Sequence, residues 1–232
     1  MTAFGLSADG TTKIIKDGFT KEVSNASHFA DVLAAASANS NTNVAMLGES
    51  FKYAAPVAGS LGYSVEDTAI ALGLMASSGL KSSMAGSSLR TILTNLAKPT
   101  DDISDAMDYL GISLQNGDGS MKSLMDIVTD LRGAFGQCKM PMDQFQESLA
   151  KLDEKYANGE LTEKKYNEAL ADLTEKAYGA EGALKAKYAA TLAGKEGMSG
   201  LLSIVSAAPE DFDKLTNAIY NSCLLYTSPS PR

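Results

Sequence analysis

Between residues 49 and 111 the chain carries three apolar stripes of helical period, each closed by a helix-stop signal, which leaves little besides a bundle of short helices open to it. Ser64 precedes Val65 and has Asp67 three places on, a variant of the capping box that starts a helix. Val65, Ala69, Leu72 and Ala76 then recur at i, i+4, i+7 and i+11, while Ile70 and Leu74 cover the opposite side. A short helix that is apolar all round is a buried one, and Gly79 supplies the left-handed residue that ends it. Ala85, Leu89, Ile92 and Leu96 repeat the spacing in a second helix. That helix stops before Pro99, because the residue preceding a proline disfavours helical angles. Thr100 or Asp101 caps a third, with Ile103, Ala106, Met107 and Leu110 as its stripe and Gly111 at its end. The predicted fold class is all-α, a compact bundle of short helices.

The flanks extend this reading. Ser7-Ala8-Asp9-Gly10 reads as a turn, and residues 13–19 carry only a weak helical pattern. A helix is predicted from Ser24 or Asn25 to about Ala38, with Phe29, Val32, Leu33 and Ala36 on one side. Asn39-Ser40-Asn41 breaks it, and Thr42 or Asn43 caps the next. That helix presents Val44, Leu47 and Phe51, and Pro56 should kink or interrupt it. After the three central helices, Ile112-Ser-Leu114 alternates and Asn116-Gly-Asp-Gly119 offers a turn, which predicts a small β-hairpin. Residues 121–135 follow as an amphipathic helix with Leu124, Ile127, Val128, Leu131 and Phe135 on its face.

Composition shifts sharply near Lys139. Residues 143–176 hold nine acidic and five basic side chains and far less Gly and Ser than before. Phe145, Leu149, Leu152 and Tyr156 form one stripe, Tyr166, Leu170, Leu173 and Ala177 another, with Asn158-Gly159 between them. This pattern predicts an antiparallel helical hairpin projecting from the body. Its i,i+4 pairs Glu147–Lys151, Glu160–Lys164 and Asp172–Lys176 are worth roughly 0.2–0.5 kcal/mol each. Beyond it, 183–193 reads as alanine-rich helix, 194–200 as a turn-prone break, and 201–207 as a short buried helix. Pro209 starts a last one with Phe212, Leu215 and Ile219 facing inward.

FKYAAPVAGSLGYS at 51–64, EDTAIALGLMASSGLKSSMAGSSLRTILTNLAKPT at 66–100 and the Leu110-Gly111-Ile112 turn together resemble the core region of phage tail tape measure proteins. That family's pattern runs from F/L-K-Y-x-x-P-V-A through G-L-K-x-S-x-A-G-x-x-L-R to L-A-K-P-T. The resemblance continues at 191–222, TLAGKEGMSGLLSIVSAAPEDFDKLTNAIYNS, and upstream in SHFADVLAAASANSNTNV, and covers more than half of the chain. It divides the chain into a partial N-terminal segment (1–23), a tape-measure-like helical core (24–138), a charged hairpin insertion (139–180) and a continuation of the core (181–222). Met1 is read as an internal methionine of a longer frame. Residues 223–232, CLLYTSPSPR, match a reading frame of a common sequencing adapter and are excluded from fold reasoning.

The resemblance implies a virion structural protein: a template inside the growing tail tube, whose length sets the number of stacked rings, with a part in genome delivery. It also implies the partners: further copies of itself, tail assembly chaperones, tail tube and tail tip proteins, and transient contact with the host membrane. The expected location is the tube lumen of the virion, and the host cytoplasm during assembly. A helix rises about 1.5 Å per residue, so a mostly helical chain converts residue count into length. A membrane-active helical protein of the ejection machinery is the alternative, and a wall-hydrolase-associated fragment a weaker one.

Charge and motifs narrow the chemistry. A net charge of −8 argues against sequence-specific nucleic-acid binding, and a helix-turn-helix reading of 64–83 would offer only Lys81 and Arg90 as basic residues nearby. His28, the sole histidine, has Asp31 three residues on but no positioned nucleophile. Cys138 beside Lys139 is read as an incidental thiol. Asn116-Gly-Asp-Gly-Ser120 fails as a calcium loop because position 12 is Ile127, and Gly194-Lys195-Glu-Gly197 lacks the spacing of a phosphate loop. The small-residue runs Ala54-Ala55 and 84–88 read as close helix approach within a bundle. No catalytic, cofactor-binding or metal-binding residue is assigned, and no cofactor is expected.

Overall fold

The computed structural model describes residues 1–7, 9–16, 19–135, 140, 142–178 and 182–222. Cys138 and residues 223–232, adapter reading included, lie outside them. Among the described residues the elements are a 3-10 turn (Thr2–Phe4), strands β1 (Thr11–Lys16) and β2 (Phe19–Ser24), and ten helices. The helices are α1 (Asn25–Ala38), α2 (Val44–Ser60), α3 (Val65–Ser77), α4 (Ser82–Ala97), α5 (Asp101–Leu110), α6 (Leu124–Phe135), α7 (Met142–Ala157), α8 (Glu163–Tyr178), α9 (Gly182–Val205) and α10 (Pro209–Tyr220).

α3 is the axis of the bundle. Residues from Ala69 to Ala76 are buried without exception, and the helix is touched by α1, α2, α4, α6, α9 and α10. The Ser64 hydroxyl accepts from the Asp67 amide at 3.0 Å, as the capping signal requires. Asp67 does not complete the box: its carboxylate accepts from the Tyr220 hydroxyl and ties α10 to α3. The full reciprocal box forms instead at α6. There Ser123 Oγ accepts from the Asp126 amide at 3.1 Å and Asp126 Oδ2 from the Ser123 amide at 3.3 Å, which starts the helix at Leu124 and not at Met121. Gly79 (φ 94°) and Gly111 (φ 67°) are left-handed at the ends of α3 and α5.

α4 is packed on two sides through small residues. A Cβ on Gly86 would lie 2.2 Å from the carbonyl oxygen of Ser50 in α2, and one on Gly200 would lie 2.2 Å from Ser88 Oγ. The α2–α4 crossing is tightened further by Ser50 Oγ, which donates to the carbonyl of Ser82 at 2.7 Å. Buried Ala54 and Ala55 on α2 and Ala85 and Ser88 on α4 are the small-residue runs of the sequence, spent on helix approach inside the bundle.

Five expectations are corrected. The weak pattern at 13–19 is no helix: 11–16 and 19–24 pair as an antiparallel ribbon with Thr11 opposite Ser24 and Lys16 opposite Phe19. The Asp17-Gly18 dipeptide in the sequence is the hairpin signal that should have been read. Pro56 does not interrupt α2, which runs from Val44 to Ser60 with the proline inside it. The stretch at 112–121 narrows to a single bridge, Gln115 to Met121, closed by the Asn116 amide donating to the Ser120 carbonyl at 2.8 Å. The break at 194–200 is one residue wide. Gly194 (φ 66°, ψ 174°) kinks α9 and helix resumes at once, while Asn95 Nδ2 donates to the Leu192 carbonyl beside the kink at 3.1 Å.

The fifth concerns the charged hairpin. α7 and α8 form where their stripes predicted, yet they lie against α9 and do not stand away from the body. Phe145, Leu149, Leu170 and Ala177 are buried against each other and alongside Ala186, Ala189 and Leu192. Ala150 reaches Gly79 at the end of α3, where a Cβ would come within 2.9 Å of it. Two one-sided stripes brought side by side make a face wide enough to cover a third helix.

Candidate functional site

Polar groups collect at three places, two buried and one exposed, and each can be judged by what its atoms can do. The first joins three helices. Asp153 of α7 is 3 % exposed, and Ser199 Oγ of α9 donates to its two carboxylate oxygens at 2.7 and 2.8 Å. The Tyr166 hydroxyl of α8 donates to the same carboxylate. Beside them a cleft of about 310 Å³ is lined by Leu80, Met84, Tyr156, Glu163, Lys195 and Ser199, among others. The Tyr156 and Tyr166 rings stack at 4.4 Å, and Lys195 pairs with Glu163 at 3.5 Å at the exposed edge.

Burial pushes the Asp153 carboxyl up to about 6, against the lowering effect of its two hydroxyl donors. Burial, with the neighbouring carboxylate, raises the Tyr166 phenol far above its ordinary value, so it stays a neutral donor. An aspartate of this basicity is a poor acceptor for a serine proton, and no histidine lies between the two as a relay. The three side chains saturate one another instead. The arrangement is a polar joint that fixes α7, α8 and α9 in register, with chemistry no more demanding than hydrogen bonding. Asp153 was not singled out in the sequence. Its signal was position: it follows Leu152 and stands four residues after Leu149, on the apolar side of the helix.

The second place holds His28. Its Nε2 lies 2.8 Å from Oε1 of Glu66, in the first turn of α3. Burial works to raise the Glu66 carboxyl, but the His28 hydrogen bond and charge with a backbone hydrogen bond outweigh it and leave it below its ordinary value. A depressed carboxyl contributes stability above its unfolded pKa that is lost as pH falls through the folded one. Glu66→Gln should therefore show a shallower loss of stability than the parent as pH falls below about 4.5, read by urea denaturation. An equal slope in the two proteins would sink the assignment.

The third place is the 116–120 loop. Asp118 Oδ1 accepts from the Ser120 amide at 2.9 Å and from its hydroxyl at 2.7 Å, which turns the carboxylate inward on its own backbone. Those bonds hold its pKa below the usual value, and Ile127, where a calcium loop would need glutamate, is fully buried. Among the described residues no group of three His, Cys, Asp or Glu could hold a metal ion, and no helix is long and apolar enough to cross a membrane. The helix-turn-helix reading also ends here. α3, the first helix of that reading, is enclosed by other helices, and Arg90 is exposed on α4.

A family model described as phage-related minor tail protein matches residues 1–152. The tape measure protein of Pneumococcus phage Dp-1 is 34% identical over 204 residues, covering 88% of this chain and 14% of that protein. The probable tape measure protein of Escherichia phage P2 is 27% identical over 135 residues, 58% of this chain and 17% of its own length. The chain thus spans a small part of the curated relatives it matches. No solved structure matches it.

Proposed function

Because the chain belongs to the phage-related minor tail protein family, we propose that it is a folded structural region of a tape measure protein that sets tail length and takes part in genome delivery. The observation that carries the reading is the similarity to the Dp-1 tape measure protein along 88% of the chain. The packing agrees with it: Ala54, Ala55, Ala58, Ala85, Gly86 and Leu89, all within the resemblance, are buried where helices cross, and Gly79 ends α3. On this reading the partners are other copies of the protein, tail assembly chaperones, and the tube and tip proteins. The chain sits in the tube lumen of the virion after assembly in the host cytoplasm.

In-frame deletion of α7 and α8 from the phage gene tests the ruler role. On the ruler reading the chain in the tube is laid out end to end as helix, where about 37 residues at roughly 1.5 Å each correspond to near 55 Å of tail. We expect tails shortened by about that length in electron micrographs. Tails of parental length, with the deleted protein incorporated, would overturn the ruler role for this region.

A further inference from the structure

The groove beside α5 is apolar on its floor and acidic along one edge. It lies where the end of α4, the helix α5 and the 112–121 loop meet, encloses about 450 Å³, and is lined by residues including Leu61, Pro99, Met107, Leu114 and Met121. Met121 is 47 % exposed, a large apolar side chain left in water at the mouth. α5 supplies the edge. Its ten residues include Asp101, Asp102, Asp105 and Asp108 and no lysine or arginine, and all four aspartates are exposed. At 100° per residue Asp101, Asp105 and Asp108 fall on one stripe, next to Ser104, and both Ser104 and Asp108 line the groove. None of the four is in an ion pair with a described residue, in contrast to the hairpin, where Glu147 and Asp172 each hold a lysine at 2.6 Å.

We propose that this face docks an amphipathic helix of a partner protein whose apolar stripe is flanked by lysines or arginines. Apolar side chains of the partner would displace water over Leu114 and Met121, and its cations would meet the unpaired aspartate stripe. Charge decides against the other occupants. A second copy related by a two-fold axis would set aspartate on aspartate, and lipid or nucleic-acid phosphates would meet the same repulsion. The inference rests on this face alone and stands whether or not the ruler reading holds.

The test uses the whole chain and two labelled helical peptides of about four turns that share one leucine stripe, one flanked by lysine and the other by glutamate. Fluorescence anisotropy at roughly physiological ionic strength is expected to show binding of the lysine peptide only. The triple change D101N, D105N, D108N and the separate change Met121→Glu should each weaken it about tenfold, while E168Q with E175Q on the hairpin should leave it unaltered. Binding that ignores the α5 and Met121 changes, or that falls equally with the hairpin changes, would overturn the proposal. So would self-association in sedimentation that D105K abolishes, since it would give the face to a second copy.

Discussion

Gly86→Ala is expected to lose about 3 kcal/mol of folding stability, the top of the ordinary range for overpacking a filled contact. The added methyl would sit 2.2 Å from the carbonyl oxygen of Ser50, well inside contact distance. The obstacle is helix backbone, so it cannot swing aside as a side-chain tip would. α2 and α4 would have to part by more than 1 Å or so, loosening the packing of Leu47, Phe51, Ala54, Leu89 and Leu93, all now buried. In a chain of this size such a loss lowers the melting temperature by roughly 6–12 °C. Gly48→Ala, on the facing helix α2, is the control. A methyl there meets nothing within 4 Å, and the better helix former should add about 0.5–1 kcal/mol. Thermal and urea denaturation of the two variants beside the parent decide the matter. A Gly86→Ala protein as stable as the parent would show that the crossing is looser than described.

The second large effect is a pH dependence carried by Asp153. Its folded-state carboxyl titrates at about 6 against an ordinary 3.8, so the folded protein keeps this proton over a range in which the unfolded chain has released it. Stability from this group is therefore fully present below about pH 4, falls as pH rises toward 6, and is level beyond. The fall amounts to about 3 kcal/mol, taking each pKa unit as about 1.4 kcal/mol. Asp153→Asn keeps the shape and an acceptor for Tyr166 or Ser199 but cannot ionise. The difference in stability between variant and parent should grow in the variant's favour from pH 4.5 to pH 7. Glu66 works in the opposite direction at lower pH, and subtracting the parent at each pH removes its contribution. A difference that does not change with pH would mean that Asp153 is ionised freely and the joint is wetter than its burial indicates.

Both effects concern places where helices meet, and there the sequence was only partly readable. The start of α3 at Ser64, its end at Gly79 and the end of α5 at Gly111 were all legible, because capping and left-handed glycine are local events fixed by a few neighbouring residues. So was the enclosure of α3, since a helix apolar on every side has no face to offer water. The ribbon of β1 and β2 was missed although Asp17-Gly18 stood in the sequence as a turn signal. The hairpin at 142–178 was found as two helices, but the side on which it would rest was not.

The sequence by itself determined the helices, their stops and the family to which the chain belongs, since all of these are written in short-range spacing and in runs of residues. Tertiary structure decided that the hairpin lies on α9, that Asp153 is held by Ser199 and Tyr166 and Asp67 by Tyr220, and that an unpaired aspartate stripe borders an apolar groove. The reason is that a residue's burial and its partner depend on groups distant in the chain. Ser199 stands 46 positions from Asp153, and Tyr220 stands 153 from Asp67. No local pattern carries that information.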